Sequence, residues 1–269
     1  MGVLNLTTDS FSDGGELLRG GVVDGDALLA RAEAMVVAGA SILDLGAEST
    51  RPGAAGVDEG LELERIVAAL TLLGPRIDAV LSVDSSTPAV FTAAAAAGAG
   101  LINDVRALQR PGALAAAAAT GLPLCLMHMQ GEPGGMQVAP HYDDVVREVG
   151  EFLVARREAA LEAGVVDDQI LLDPGFGFGK TLDHNLELLA RLGELAALGS
   201  PLLVGMSRKR MIGQLTGREV DERMAGSVAA AVLAVDRGAR IVRAHDVKET
   251  VDALRVAAAV AAHGGAAAR

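Results

Sequence analysis

The sequence contains very little cysteine and few aromatic side chains. Cys125 is the only cysteine among 269 residues, so no intrachain disulfide can form and a reducing, cytoplasmic compartment is expected. Tryptophan is absent and aromatic residues amount to 2%, whereas hydrophobic residues amount to 51%. The core must therefore consist mainly of Ala, Val, Leu and Ile, which suits helices packed on a parallel sheet.

Long apolar runs and positive charge are also scarce. No uninterrupted apolar run reaches the roughly 18 residues that a membrane span needs, and the chain opens without the basic segment of a secretory leader. The 23 Lys and Arg are outnumbered by 35 Asp and Glu, which gives a formal charge of −12. An acidic surface disfavours nucleic acid and membranes as partners, and it makes any local basic cluster more informative.

Short apolar runs alternate regularly with segments of helical periodicity. Runs of this length without polar interruption are typical of strands buried on both faces. Strands are predicted at 2–5, 42–44, 80–84, 101–104, 124–128, 170–173, 202–205 and 241–243. Helices are predicted at 25–38, 59–73, 87–97, 111–119, 143–163, 184–197, 221–236 and 247–262.

Helix-end signals support this alternation. Asp143 and Asp183 stand where N-caps belong, Pro88 and Pro111 stand near helix starts, and a glycine follows five of the helices, at 39, 98, 121, 164 and 238. Eight strand–helix units can close into a (β/α)8 TIM barrel, here a single domain over 1–269. An open doubly wound sheet is the alternative, but no G-x-G-x-x-G follows the first strand.

Polar side chains end every predicted strand, and in a TIM barrel these ends form the active face. A single such residue is most often a helix cap or a turn, but eight strands ending this way are hard to explain by capping. Asp84, Asn103 and Asp173 supply groups that recognise the amide and amino edges of a planar heterocycle. Cationic or donor groups at other tips favour an anion such as phosphate or carboxylate: Arg51, Arg208, Lys209, Arg243 and His245.

Signatures of covalent and of zinc catalysis are missing from the sequence. It has no G-x-S-x-G nucleophile motif and no pair of histidines at zinc-ligand spacing, and the glycine-rich segment 173–180 is not a P-loop. Positioning and electrostatics remain as the means of catalysis. Phe176 and Phe178 could offer a surface for a flat ring, and the long loops 7–23, 46–57 and 129–142 could close over a substrate.

Eight motifs along the chain carry a family resemblance. They are MGVLNLTTDSFSDGG (1–15), ESTRPG (48–53), SVD (82–84), INDV (102–105), MHMQG (127–131), DPGFGFGK (173–180), SRK (207–209) and RAHDV (243–247). Their order and content resemble the signatures of the dihydropteroate synthases, and the match covers essentially the whole chain.

The resemblance implies a folate-synthesis transferase. Such an enzyme condenses 4-aminobenzoate with (7,8-dihydropterin-6-yl)methyl diphosphate and releases 7,8-dihydropteroate and diphosphate. The resemblance also implies Mg²⁺, inhibition by sulfonamides and a homodimer, whose surface we expect near 225–235 and 250–262. Because Asp84 and Asp173 can stabilise a cationic pterin methylene once diphosphate has left, we expect an SN1-like reaction.

Each matching position acquires an implied role. The catalytic residues would be Asp84, Asp173 and Lys209. The pterin would be held by Asp84, Asn103, Asp173, Lys209, Met127, Phe178 and Gly205. The diphosphate would be held by Asn5, Arg243 and His245, with Asn5 also at the Mg²⁺. The 4-aminobenzoate would be surrounded by Thr50, Arg51, Pro52, Phe178 and Arg210, and loop closure would involve Asp9, Phe11 and Arg51.

Two positions depart from the family pattern. Thr8 stands where Pro is common, which would loosen the first loop, and Arg210 stands where Ser is common, at the 4-aminobenzoate edge. Near that edge we find no insertion of the kind that would exclude sulfonamides, so we expect a sulfonamide-sensitive enzyme.

Two other functions remain open. One is a methyltetrahydrofolate-binding methyltransferase domain of the same barrel type, which does not need Lys209, Arg243 and His245 around a diphosphate. The other is a non-catalytic pterin-binding barrel, against which the complete set of charged strand tips argues.

Overall fold

The computed structural model describes residues 1–7, 15–48, 57–131 and 134–264. Eight parallel strands form one sheet, in which consecutive barrel strands are neighbours, and two short strands form a separate antiparallel hairpin, β2 with β3. The strands are β1 (Gly2–Asn5), β2 (Leu18–Arg19), β3 (Val22–Val23), β4 (Ile42–Gly46), β5 (Val80–Asp84), β6 (Leu101–Asp104), β7 (Leu124–Met127), β8 (Ile170–Asp173), β9 (Leu202–Val204) and β10 (Ala239–Val242).

The sheet closes on itself between its first and last strands. Gly2 forms a parallel bridge with Ala244, the Met1 amino group donates to the Val242 carbonyl at 3.0 Å, and the Ala244 N–H donates to the Met1 carbonyl at 2.9 Å. The predicted barrel of eight parallel strands is therefore confirmed.

Helices follow the barrel strands and cover the outside of the sheet. They are α1 (Gly25–Val37), α2 (Glu59–Leu73), α3 (Pro88–Ala96), α4 (Ala113–Thr120), α5 (Val145–Glu162), α6 (Leu182–Ala190), α7 (Leu192–Ala196), α8 (Arg210–Thr216), α9 (Met224–Asp236) and α10 (Val247–Gly264). The number of helices differs from the prediction at two places. The helix predicted at 184–197 is two helices separated at Arg191, and α8 follows the tip of β9 where none was predicted.

Two predicted N-caps are wrong by one or two residues. Asp144, rather than Asp143, caps α5 and accepts from the N–H groups of Val146 and Arg147, both at 3.0 Å. Thr181, rather than Asp183, caps α6 and accepts from the N–H of His184 at 3.2 Å. Asp183 lies in the first turn of α6, where a negative charge still interacts favourably with the helix dipole.

Aliphatic side chains form the core, as the composition predicts. Two large clusters lie between the helices and the sheet, and a small third cluster of Leu101, Cys125 and Leu203 belongs to β6, β7 and β9. Cys125 is 1% exposed, and this burial raises the pKa of its thiol. None of the described helices combines the length and the apolar character that crossing a bilayer requires.

Candidate active site at the strand tips

The alternation of side chains along each strand places polar groups at the barrel mouth. Residues two apart on a strand point to the same side. Leu101, Cys125 and Leu203 pack together in the third core cluster, with Leu171 and Ile241 against them. Two positions further along the same strands or just beyond their ends stand Asn103, Met127, Gly205, Asp173 and Arg243. An apolar layer therefore lies beneath a layer that carries most of the predicted ring-binding residues.

Asp44, on β4, joins its strand through hydrogen bonds to β5, β6 and the end of β10. Its side chain is fully buried, and it accepts from the Ser82 hydroxyl at 2.5 Å, the Asn103 amide at 3.1 Å and the Arg243 Nε at 2.6 Å. The sequence analysis did not assign Asp44 to the site. The available signal was a carboxylate in an otherwise apolar predicted strand.

Arg243 also pairs with Asp84, so two carboxylates share one guanidinium. The Arg243 Nη2 donates to Asp84 Oδ2 at 2.9 Å. Burial raises the pKa of Asp84 to about 7 although Arg243 opposes the shift, and the charge of Asp44 adds to it. Sequence analysis grouped Arg243 with the diphosphate ligands; in the structure its guanidinium contacts the carboxylates of β4 and β5.

Lys209 and Asp173 form the other charged part of the mouth. The Lys209 ammonium donates to the Phe176 carbonyl at 2.5 Å and lies 4.5 Å from the centre of the Phe178 ring. Burial lowers the pKa of Lys209 to about 8, against the opposing effect of Asp173. Burial raises the pKa of Asp173, and Lys209 opposes that shift. Each of the two groups thus favours the charged form of the other.

The two phenylalanines of the glycine-rich loop have different surroundings. Phe176 is fully buried and belongs to a large core cluster, whereas Phe178 is half-buried beside Lys209. The interpretation of Phe176 as a ring-packing surface at the site is therefore wrong, because its side chain points into the core. Phe178 remains a candidate.

The tips of β9 and β10 are tied together by polar contacts. The Ser207 hydroxyl accepts from the His245 N–H at 3.1 Å and lies 3.1 Å from its Nδ1. Arg208, in the left-handed region with φ 57°, pairs with Asp246 at 3.0 and 2.5 Å. Asn5 stands at the end of β1, in register with Gly46 of β4. The residues predicted for diphosphate therefore belong to neighbouring strand ends.

A second polar network lies beside the mouth and was not predicted. Glu48 accepts from Arg106 at 3.2 and 3.3 Å and pairs with Arg110 at 3.5 Å, while buried Glu62 accepts from Ser85 at 2.6 Å. Burial raises the pKa of Glu62. Next to this network is a cavity of about 190 Å³ lined by Val105, Arg106, Gln109, Arg110, Pro111, Met127, Met129 and Gly131.

Several predicted residues lie outside the described part of the chain. They are the loop residues Thr8, Asp9, Phe11, Thr50, Arg51 and Pro52. Of the predicted 4-aminobenzoate group, Phe178 and Arg210 are described, and Arg210 is exposed at the first position of α8. Within the described ranges, no group of three or more His, Cys, Asp or Glu is placed to hold a metal ion.

Comparisons with known proteins show what this chain is similar to. The family described as pterin binding enzyme matches residues 1–245. The dihydropteroate synthase of Escherichia coli K12 is 52% identical over 256 residues, which cover 95% of this chain and 89% of that protein. The Haemophilus influenzae dihydropteroate synthase is 47% identical over 256 residues, which cover 95% and 91%.

Solved structures give the same result. The Yersinia pestis dihydropteroate synthase with a sulfonamide drug complex has a TM-score of 0.93 and 52% identity, covering 97% of this chain and 93% of that chain. The Xanthomonas albilineans dihydropteroate synthase in complex with 7,8-dihydropteroate has a TM-score of 0.85 and 49% identity, covering 97% and 92%.

Proposed function

The chain belongs to the dihydropteroate synthase family of pterin-binding enzymes, and we propose that its strand tips carry out the reaction of that family through the residues described above. The reaction joins 4-aminobenzoate to the methylene carbon of (7,8-dihydropterin-6-yl)methyl diphosphate and releases diphosphate. The observation that carries the assignment of roles is the meeting of Asp84, Asn103 and Arg243 around buried Asp44. Such a set of fixed acceptors and donors suits a flat heterocycle with amide and amino edges.

The pterin half of the site would be formed by β5, β6, β8 and β9. Asp84 and Asp173 supply acceptors for ring N–H groups, Asn103 supplies both a donor and an acceptor, and Lys209 supplies a donor for ring oxygen or nitrogen. Met127 and Phe178 would contact the ring faces, and Gly205 leaves room beside Lys209, whose Nζ would lie 4.0 Å from an added Cβ. The ring would thus be held by edges and faces together.

The diphosphate half would be formed by Asn5, Arg243 and His245. Cations and N–H donors at these strand ends can offset the charge of the leaving group. The Asn5 amide oxygen is a hard oxygen donor of the kind that Mg²⁺ accepts, and in phosphate sites Mg²⁺ keeps several waters and takes most of its other ligands from few protein groups and the substrate phosphates. Mg²⁺ bound there would supply further neutralisation of the diphosphate.

The chemical step would be an SN1-like substitution. The bond between the methylene carbon and the diphosphate oxygen breaks, and its electron pair leaves with diphosphate. The carboxylates of Asp84 and Asp173 stabilise the cationic pterin methylene that remains. The aniline nitrogen of 4-aminobenzoate then donates its lone pair to carbon and loses one proton, so the reaction needs neither a covalent nucleophile nor a strong base.

Thr50, Arg51 and Pro52, with Phe178 and Arg210, would surround 4-aminobenzoate, and Asp9, Phe11 and Arg51 would take part in loop closure. Sulfonamides would compete with 4-aminobenzoate for this space. The sulfonamide complex of the similar Yersinia pestis enzyme supports this proposal.

The assembly would be a single-domain homodimer in the cytoplasm. Exposed aliphatic side chains of α9 and α10, with Leu233 44%, Val256 66% and Val260 68% exposed, support a dimer surface there. The single, buried cysteine fits a reducing compartment. Sedimentation of the wild-type chain and of Val256→Asp would test the dimer, since a buried charge at its centre should give a monomer.

A diphosphate-release assay with both substrates tests the proposed reaction. With both substrates present, the wild-type chain should release diphosphate over many catalytic cycles. Asp84→Ala and Lys209→Ala should each lose activity by roughly 100-fold or more while remaining folded. Exposed Lys248→Ala is the matched control and should retain activity.

A methyltransferase domain or a non-catalytic barrel would bind a pterin in the same experiment without releasing diphosphate. That outcome would contradict the proposed reaction. Full activity of folded Asp84→Ala would contradict the proposed roles instead.

A further inference from the structure

Lys180 is a buried lysine that the proposed reaction does not use. It is 3% exposed, and its Nζ lies 2.9 Å from His128 Nδ1 and 3.0 Å from the carbonyl oxygens of both Gly175 and Phe178. The ammonium form of lysine has three N–H donors, and these three short contacts account for all of them. Burial lowers the pKa of Lys180 well below its usual value, and the charge of Asp173 opposes that shift. Its hydrogen-bond partners are carbonyl and imidazole atoms, so the side chain holds backbone in place rather than a carboxylate.

His128 is suited to accept this hydrogen bond. Burial, together with the charge of Lys180, lowers the pKa of His128 to about 2, so the imidazole is neutral. Its Nδ1 can then accept from Lys180 with the proton on Nε2. The imidazole also packs on Phe152 in a T-shaped arrangement, with ring centres 4.9 Å apart. This aromatic contact helps to fix the position of the acceptor.

The loop between β8 and α6 is held by side chains along its whole length. Each of its five successive carbonyls from 175 to 179 accepts from a side-chain donor. Gln137 reaches the Gly177 carbonyl at 2.6 Å and Tyr142 reaches the Gly179 carbonyl at 2.9 Å. Lys180 donates to two of these carbonyls, those of Gly175 and Phe178, which are the first and last residues of one turn. Within that turn the Phe178 N–H donates to the Gly175 carbonyl at 3.1 Å.

This turn presents to Lys209 the two groups that its ammonium touches, the Phe176 carbonyl and the Phe178 ring. A lysine side chain has several rotatable bonds, and fixing them costs conformational entropy unless neighbouring groups already define its position. We propose that Lys180 is a positioning residue that orients Lys209 for the pterin ring by holding both ends of the 175–178 turn. The inference rests on the proposed role of Lys209 in ring binding.

A double-mutant cycle between Lys180 and Lys209 tests the inference. The affinity for 6-hydroxymethylpterin would be measured by calorimetry for the wild-type chain, Lys180→Met, Lys209→Met and the double variant. Lys180→Met should weaken binding by about 10-fold, as expected when a binding group is misplaced by a fraction of an ångström. In the Lys209→Met background the same substitution should weaken affinity clearly less than in the wild-type chain, because the main group it orients is gone and only the contact of Phe178 with the ring can still be disturbed.

Tyr142→Phe is the matched control. It removes one donor from the far end of the same loop, at the Gly179 carbonyl, and keeps the ring that packs near His128. It should leave pterin affinity within about twofold of wild type. Thermal unfolding of each variant separates folding from binding, and Lys180→Gln, which keeps one donor group, serves as the second variant.

The outcomes separate the two proposals. Unchanged affinity in Lys209→Met would overturn the role of Lys209 itself. Weakened affinity in Lys209→Met, combined with equal losses from Lys180→Met in both backgrounds, would overturn only the orienting role of Lys180. Loss of the folded state in both Lys180→Met and Lys180→Gln would also overturn it, in favour of a purely structural lysine.

Discussion

Arg243 donates to Asp44 at 2.6 Å, although 199 residues separate them in the sequence. Asp44 is fully buried and also accepts from Ser82 and Asn103, so one carboxylate fixes an arginine and an amide that both belong to the proposed site. Arg243 then reaches Asp84 with its Nη2 at 2.9 Å. Asp44 therefore fixes the positions of Asn103 and Arg243 at the mouth of the barrel, and through Arg243 it also affects Asp84.

Replacing Asp44 by Asn should damage the site more than the fold. The neutral amide can still accept a hydrogen bond from the Arg243 guanidinium but cannot form an ion pair with it, which leaves Asp84 as the charged partner of Arg243 in this network. We expect kcat/KM for the pterin diphosphate to fall by roughly 100-fold and the free energy of unfolding to fall by about 1–3 kcal/mol. Steady-state kinetics and denaturant unfolding measure the two effects. Exposed Asp252→Asn is the control, and equal activity in both variants would contradict the role given to Asp44.

The affinity for a pterin should pass through a maximum between about pH 7 and about pH 8. Ring binding needs Asp84 as a carboxylate, and burial raises its pKa to about 7, so protonation weakens binding as the pH falls below that value. Binding also needs Lys209 as an ammonium, and burial lowers its pKa to about 8, so deprotonation weakens binding as the pH rises above that value. Calorimetric titration of 6-hydroxymethylpterin across this range, corrected for ionisation of the probe, measures the profile.

The same profile in Asp44→Asn gives an internal check. The negative charge of Asp44 contributes to the raised pKa of Asp84. Its removal should shift the acid limb to lower pH and leave the alkaline limb in place. A shift of the acid limb to higher pH would contradict this account of the pKa of Asp84.

The sequence predicted the barrel because each barrel strand is a short apolar run whose end is marked by a polar residue. It did not predict α8 or the hairpin of β2 and β3, which are too short to show periodicity. The division between α6 and α7 lies at Arg191, and the nearest glycine, Gly193, stands inside the first turn of α7 rather than at the division. Local pattern therefore identified the repeating unit and missed the irregular elements between units.

The proposed site could be predicted in part for a related reason. Parallel strands of a barrel end on one face, so Asp84, Asn103 and Asp173 could be grouped from their positions alone. The pairing of Arg243 with Asp44 could not be predicted from sequence, because it depends on which side of β4 points into the barrel. Phe176 and Phe178 are two residues apart in a loop without periodicity, so their opposite surroundings could not be read from sequence.

Replacing Arg210 by Ser should affect 4-aminobenzoate and leave the pterin unaffected. Arg210 is exposed at the start of α8, directly after Lys209. An exposed cation near a carboxylate substrate is worth under about 1 kcal/mol, so we expect KM for 4-aminobenzoate to rise about two- to fivefold. Inhibition constants of competing sulfonamides should rise in parallel, if they occupy the same space.

Arg218→Ser is the control for Arg210, since Arg218 lies just beyond the same helix and is 62% exposed in an ion pair with Glu222. It should change neither constant. Sulfonamide inhibition that is not competitive with 4-aminobenzoate would contradict the shared site.

Gly175→Ala should destabilise the protein more than Gly164→Ala. Both glycines have positive φ, 68° and 95°, so alanine is strained at each and should cost about 1 kcal/mol for that reason. At Gly164 an added Cβ meets no atom within 4 Å, whereas at Gly175 it would lie 1.8 Å from the His128 carbonyl oxygen. That residue is anchored by its own N–H to the Asp173 carbonyl at 2.9 Å, so the tip of β7 must move.

We therefore expect Gly175→Ala to lower the free energy of unfolding by about 3 kcal/mol or more, measured by denaturant titration with unchanged m-values. Because the displaced turn is the one that contacts Lys209, this variant should also lose pterin affinity, which Gly164→Ala should keep. Equal stability of the two variants would mean that the loop and the β7 tip can separate without cost, and the close packing between them would then not define the ring pocket.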